Sequence, residues 1–190
     1  MLILAIDPGN IDSAFVLLGD FYTIYDKGKV KNDSLLKIIE DYAHCCNYLV
    51  VERIASYGMA VGKTVFETCE WVGRFAQKAI ANGYAVDYVY RLDEKLAICH
   101  DAKAGDANIR RALIDRFAKH DFKNGKGTKK KPDVFYGFAA DEWAAMAVGV
   151  TWIDRREEKP CTLVPLQSRK ENTASSQGAK AAPSPLTPSV

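Results

Sequence analysis

The sequence predicts an α/β fold: a mixed five-stranded sheet, three strands forming an antiparallel meander and two running parallel, flanked by helices. Three observations predict it. The chain opens on an apolar run, Leu2-Ile3-Leu4-Ala5-Ile6, that meets Asp7 and is broken by Pro8-Gly9. A run of this kind, closed by turn residues, reads as a strand buried on both faces. Two more strand patterns follow across short turns, which suits antiparallel neighbours. Strand and helix patterns then alternate, the order that builds parallel pairs.

The elements follow in chain order. Ser13 to Leu18 is the second strand, and Gly19-Asp20 is a hairpin signal. The alternation from Phe21 to Lys27, rich in β-formers, makes the third strand. Asn32-Asp33-Ser34 opens a helix carrying Leu35, Leu36, Ile38, Ile39, Tyr42 and Ala43 at helical spacing. Tyr48 to Glu52 is a short apolar strand running into a carboxylate. From 60 to 81 the pattern is helical, with Val61, Val65, Cys69, Val72, Phe75 and Ala79 on one stripe and Asn82-Gly83 as the stop. Tyr84 to Tyr90 is the fifth strand. A short helix covers Asp93 to Cys99, and a clearer one covers Asp106 to Lys119, with Ile109, Leu113 and Phe117 inward and Arg110 and Arg111 outward. A last helix spans Ala139 to Asp154, with Ala145, Val148 and Trp152 on one side. Residues 1–156 thus read as one domain. Residues 157–190, largely Pro, Ser, Ala, Gln and Lys without period, read as a disordered tail.

Composition narrows the function classes. At 190 residues and 48% apolar content the chain can bury a full core. A net charge of +2 is too small to argue for a nucleic-acid partner, so the distribution of charge must do so. Five cysteines without a C-x-x-C pair, and no paired histidines at zinc spacing, read as reduced thiols of a cytoplasmic protein. The amino terminus lacks a basic leader pattern, and no apolar run is long enough for a membrane span. Gly58 to Thr64 resembles a phosphate loop but has three residues between its glycines where that motif has four, so no nucleotide cofactor is expected. His44, His100 and His120 lie in unrelated contexts, and no motif supports Ser-His-Asp or Cys-His chemistry.

What remains is carboxylate chemistry. Asp7 ends the first strand, Glu52 ends the fourth, and Asp141 stands near the start of the last helix. Strands one and four, if adjacent and parallel, bring Asp7 and Glu52 to one sheet edge, where open α/β sheets place their sites. Converging oxygens without His or Cys suit Mg²⁺ or Mn²⁺. A pair of such ions about 4 Å apart serves phosphodiester hydrolysis.

The segments Ile6-Asp7-Pro8-Gly9, Val50-Val51-Glu52 and Ala139-Ala140-Asp141, the last followed by Ala144-Ala145, resemble the RuvC family of Holliday-junction resolvases, which has the RNase H-like fold. Val61-Gly62-Lys63-Thr64, Asp106 to Arg110 and Gly127 to Lys130 resemble its bacteriophage branch. The resemblance covers about residues 1–156. It implies a metal-dependent endodeoxyribonuclease of the bacterial cytoplasm, encoded by the bacterium or by a phage, that acts as a homodimer. Each site would nick one of two opposed strands of a four-way DNA junction, leaving a 5′-phosphate and a 3′-hydroxyl. Asp7, Glu52 and Asp141 would hold Mg²⁺, with Mn²⁺ as a substitute. A fourth acid belongs three residues before Asp141, where this chain has Phe138. The fourth catalytic group is then Glu142 through a distorted helix start, an acid from elsewhere, or absent.

The resemblance also assigns phosphate contacts to Arg53, Lys63, Arg74, Lys103, Arg110, Arg111 and the five lysines between Lys123 and Lys131, notably Lys129, Lys130 and Lys131. Lys63–Glu67 and Glu70–Arg74 are i,i+4 pairs that equally describe a solvated face. The helix over 60–81 is a candidate for the dimer face or the DNA face, and Tyr57 or Phe66 for a wedge against opened bases. A broader nuclease acting on flaps, forks or RNA, and a non-catalytic binder of branched DNA, share most of these features.

Overall fold

The computed structural model describes residues 1–56, 58 and 60–157. Strand β1 (Ile3–Asp7) pairs antiparallel with β2 (Asp12–Leu18), and β2 pairs antiparallel with β3 (Ile24–Lys31). On its other side β1 runs parallel to β4 (Tyr48–Arg53), which runs parallel to β5 (Ala85–Tyr90). The order across the sheet is β3-β2-β1-β4-β5. The central position of β1 explains its unbroken apolar run, because Ile3, Leu4, Ala5 and Ile6 meet a core on both faces.

The two-residue period of the strands sorts their side chains between two layers. Leu4, Ile6, Phe15, Leu17, Leu49 and Val51 face α1 (Asn32–Asp41) and α2 (Lys63–Ala81). Ile3, Ala5, Ala14, Val16, Leu18, Val50 and Val89 face α5 (Glu142–Glu157). Outside α5 lie α3 (Arg91–Cys99) and α4 (Asp106–Phe117).

Helix α5 departs from the expected one-sided stripe. From Glu142 to Ile153 every residue except Ala144 is buried, because the helix is covered by the sheet below and by α3, α4 and an aromatic loop above. It approaches the sheet most closely at Gly149, where an added methyl group would collide with Leu18 and stand 3.1 Å from Ala5 Cβ. Gly149→Val is therefore expected to lower stability by about 1–3 kcal/mol through overpacking, measured by urea denaturation.

Three other boundaries moved for identifiable reasons. Strand β3 begins at Ile24 instead of Phe21, because Asp20–Tyr22 forms a 3₁₀ turn with Phe21 and Tyr22 at positive φ and Phe21 almost fully exposed. The strand then continues to Lys31. Helix α2 begins at Lys63 instead of 60, leaving Val61 exposed ahead of it; the helix buries Thr68, Val72, Phe75, Ala76 and Ala79, while Cys69 is exposed. Helix α4 stops at Phe117, two residues early. The buried Asp133 carboxylate accepts the backbone N–H groups of Lys119, His120 and Asp121 at 2.7–3.2 Å and draws the chain away from the helix. Burial opposes ionisation of Asp133, but these N–H groups and its own neighbour Val134 outweigh it and hold its pKa below the usual carboxylate range.

Asp121 similarly accepts N–H groups from Asn124, Lys126 and Gly127, so the expected basic loop is a folded segment. Gly127 is required in it: φ is +66°, and a side chain would strike the Lys131 carbonyl. No helix among the described residues is long and apolar enough to cross a membrane. Four cysteines among them are free thiols. Tyr57 and, beyond Glu157, the expected tail lie outside the described residues.

Candidate functional site

Asp7 and Glu52 come together by register. The parallel ladder pairs Ala5 with Val50 and Ile6 with Val51, so the next step sets Asp7 beside Glu52 at the carboxyl ends of adjacent strands. Both side chains share the α5 face with Ala5 and Val50. The turn that follows Asp7 is held by a buried polar network. Ser13 Oγ accepts the Gly9 N–H at 3.1 Å and donates to Asn32 Oδ1 at 2.6 Å, and Asn32 Nδ2 donates to the Gly9 carbonyl at 2.9 Å. Gly9 is needed for steric reasons, since a methyl group there would overlap the Asp12 carbonyl.

Asp141 completes one side of the cleft. Its carbonyl accepts the first helical N–H groups of α5, from Ala144 and Ala145, and its carboxylate lies at that amino-terminal end. The carboxylate is ion-paired to Lys29. Asp7, Glu52 and Asp141 line one cavity of about 740 Å³ with Arg91, Asp106, Arg110, Arg111, Lys123 and Trp143. Its lining thus mixes four carboxylates with three arginines and a lysine.

Glu142 stands outside this lining. Its Oε2 accepts the Ala139 N–H at 2.7 Å and the Lys27 ammonium at 2.9 Å, so its carboxylate holds the approach to α5. Phe138, where the resemblance calls for an acid, is 2% exposed and stacks edge-on against Phe135, with their ring centroids 5.2 Å apart; Trp143 packs against it at the same distance. An acid at 138 would lie in an aromatic core.

Two groups here were not singled out from the sequence. Lys29 was hidden by the early end expected for β3, though Lys27, Lys29 and Lys31 alternate visibly on one strand face. Arg91 was missed because β5 runs without a gap into α3, which begins two residues before the expected Asp93, and Glu94 fell inside the expected helix with nothing to mark it as buried. The only signal was an i,i+3 Arg–Glu spacing, which usually marks a solvated pair. Here Glu94 is fully buried and Arg91 is largely so. Arg91 bonds Glu94 Oε2 and also pairs with Asp106, while Glu94 Oε1 has no partner among the described residues.

Burial first, then the charge of Glu52 beside Asp7 and of Glu94 beside Glu52, with Asp141 and Asp106 adding less, push both carboxyls well above the usual carboxylate range. Burial likewise raises Glu94 to about 8. These oxygens are poised to exchange protons for a cation. The donor set, hard oxygens with an unpaired buried one nearby, fits Mg²⁺ or Mn²⁺. Among the described residues, however, no three Asp, Glu, His or Cys side chains converge tightly enough to hold an ion, because Asp141 is turned to Lys29. The sign of the linkage follows. An acid whose folded pKa is raised stabilises the fold below its ordinary pKa, near 4, and loses that stability as pH rises toward the folded value. In EDTA the melting temperature should thus fall between pH 5 and 8, and Mg²⁺ should restore more of it at pH 8 than at pH 5.

The expected phosphate contacts divide. Arg110 and Arg111 line the cavity, Arg110 lying 4.9 Å over the Trp143 ring and Arg111 paired with Asp115. Lys129, Lys130 and Lys131 are exposed on a turn closed by reciprocal Thr128–Lys131 backbone bonds. Arg53 lies over Tyr88, Arg74 over Trp71, Lys63 beside Glu67, and Lys103 on an exposed turn, all away from the cavity lining.

The mixed five-stranded sheet with helices on both faces matches the RNase H-like fold of RuvC. The chain is similar to the structure of RuvC from Thermus thermophilus, with a TM-score of 0.59 and 14% identity over 83% of this chain and 96% of that one. RuvC of the same organism in complex with a Holliday-junction substrate matches over the same shares, with a TM-score of 0.58 and 14% identity. No protein-family model matches the chain, and no curated protein matches it.

Proposed function

We propose that this protein is a metal-dependent endonuclease that resolves four-way DNA junctions by paired nicks. The observation that carries the reading is the juxtaposition of Asp7 and Glu52 on neighbouring parallel strands, with Asp141 across one cavity from them. The likeness in fold to a RuvC bound to a Holliday-junction substrate supports branched DNA as the partner.

Asp7 and Glu52 would hold Mg²⁺ or Mn²⁺, which when bound polarises the scissile phosphate and lowers the pKa of water. The chain's own residues do the rest. Arg110, Arg111 and Lys123 draw the phosphate backbone along the wall without reading sequence, as recognition of branch geometry requires. Lys29 holds the Asp141 carboxylate in an ion pair. Paired nicks need two sites. A homodimer is supported by α2, where Phe66, Cys69, Gly73 and Ile80 form an exposed stripe of apolar and small residues.

The test incubates labelled four-way junction, flap and linear duplex with the protein in Mg²⁺, Mn²⁺ or EDTA. Symmetric paired nicks on the junction, lost in EDTA, are expected. Equal nicking of flap and junction would make the protein a broader nuclease, and binding without cleavage would make it a recognition protein only. Replacing Lys129, Lys130 and Lys131 together by Ala should weaken junction binding and flatten its salt dependence. The slope of log K against log salt should drop by up to about 3, at roughly one unit per lost phosphate contact. An unchanged slope would return these lysines to a solvated surface.

A further inference from the structure

The acids around the cleft are unevenly committed. Asp141 is bound to Lys29, Glu142 to Lys27 and the Ala139 N–H, and position 138 is an aromatic core residue. That leaves the Asp7–Glu52 pair, whose two charges match one divalent ion. Beside the pair stands a further acidic set, Glu94 and Asp106, and what lies between them is a guanidinium. Arg91 lines the same cavity as Asp7, Glu52 and Asp106, and its charge acts favourably on Asp7, Glu52 and Glu94 alike. One of its Nη atoms bonds Glu94 and the other Asp106, so its plane is held at two points. Glu94 is fully buried, and its second oxygen is unpartnered among the described residues. A buried carboxylate oxygen without a donor is costly, and it marks a place where positive charge is in demand.

We propose that the Arg91 guanidinium takes the electrostatic place of a second divalent ion, so that each chain binds one ion between Asp7 and Glu52. The inference rests on the metal-dependent reading above and refines it. A guanidinium is always charged, planar and weakly hydrated, so it can face phosphate oxygens with fixed donors as an ion would with open coordination positions. It cannot activate water, so that task stays with the single ion. Glu94 and Asp106 act as positioning residues, holding Arg91 at the cavity wall.

The test counts ions. The full-length protein is titrated with Mn²⁺, and bound ion is measured by electron paramagnetic resonance and calorimetry, with no nucleic acid present. Wild type should bind one Mn²⁺ per chain. Arg91→Ala, which frees Glu94 and Asp106, should bind two, and Arg91→Lys, which keeps the charge and most of the volume, should bind one. Two ions in wild type would overturn the proposal while leaving the metal-dependent nuclease reading intact. One ion in Arg91→Ala, with its fold confirmed by circular dichroism, would also overturn it, since something other than Arg91 would then set the count. If Arg91→Ala fails to fold, the wild-type count and Arg91→Lys decide. No bound Mn²⁺ in wild type would remove the metal reading itself.

Discussion

Asp7→Asn is expected to bind four-way junctions about as well as wild type and to cleave them slower by a factor on the order of 10³, equivalent to about 4 kcal/mol of transition-state stabilisation. Asparagine keeps the volume and hydrogen-bonding capacity of the side chain at the end of β1, so the Ser13–Asn32 network and the turn should survive. What it removes is one of two adjoining carboxylate charges. Two measurements separate the consequences: a mobility shift in EDTA for binding, and single-turnover cleavage in Mg²⁺ for chemistry. The same substitution removes the Asp7 carboxyl, which burial and Glu52 push up to about 8, so the loss of thermal stability between pH 5 and 8 should shrink. Undiminished cleavage would take Asp7 out of the site.

Glu142→Ala should act on folding. Its carboxylate is 8% exposed and holds Lys27, itself 21% exposed, at the head of α5. Removing one partner of a largely buried pair leaves the other charge uncompensated, a loss of about 3–5 kcal/mol. Lys27 keeps the Gly137 carbonyl and the face of Phe138, so the lower end of that range, about 3 kcal/mol, is expected in urea denaturation. The number of Mn²⁺ ions bound should not change. A variant of unaltered stability that had lost an ion would identify Glu142 as a ligand, the role that its place next to Asp141 suggests in the sequence.

The strand-helix order and the pairing of Asp7 with Glu52 were legible because they follow from local rules. Apolar runs ended by turn residues mark buried strands, and a two-residue period sends every second side chain to one face. The third strand was misplaced by a few residues because the turn between Gly19 and Thr23 uses positive φ at Phe21 and Tyr22, which residue type does not advertise. That displacement concealed Lys29.

Residue order alone therefore determined the architecture and the two strand-end acids, since both depend on period and turn chemistry within single segments. The resemblance to RuvC, carried over onto this sequence, implies a fourth acid where Phe138 stands. Only the tertiary structure decided how charge is shared among the remaining groups. Whether Arg91–Glu94 is a solvated pair or a buried one depends on how α3 packs against α4, α5 and β5. Glu142 turns to Lys27 because a strand more than a hundred residues away supplies the cation. Burial and long-range pairing set the electrostatics of this cleft, and neither is written in local sequence.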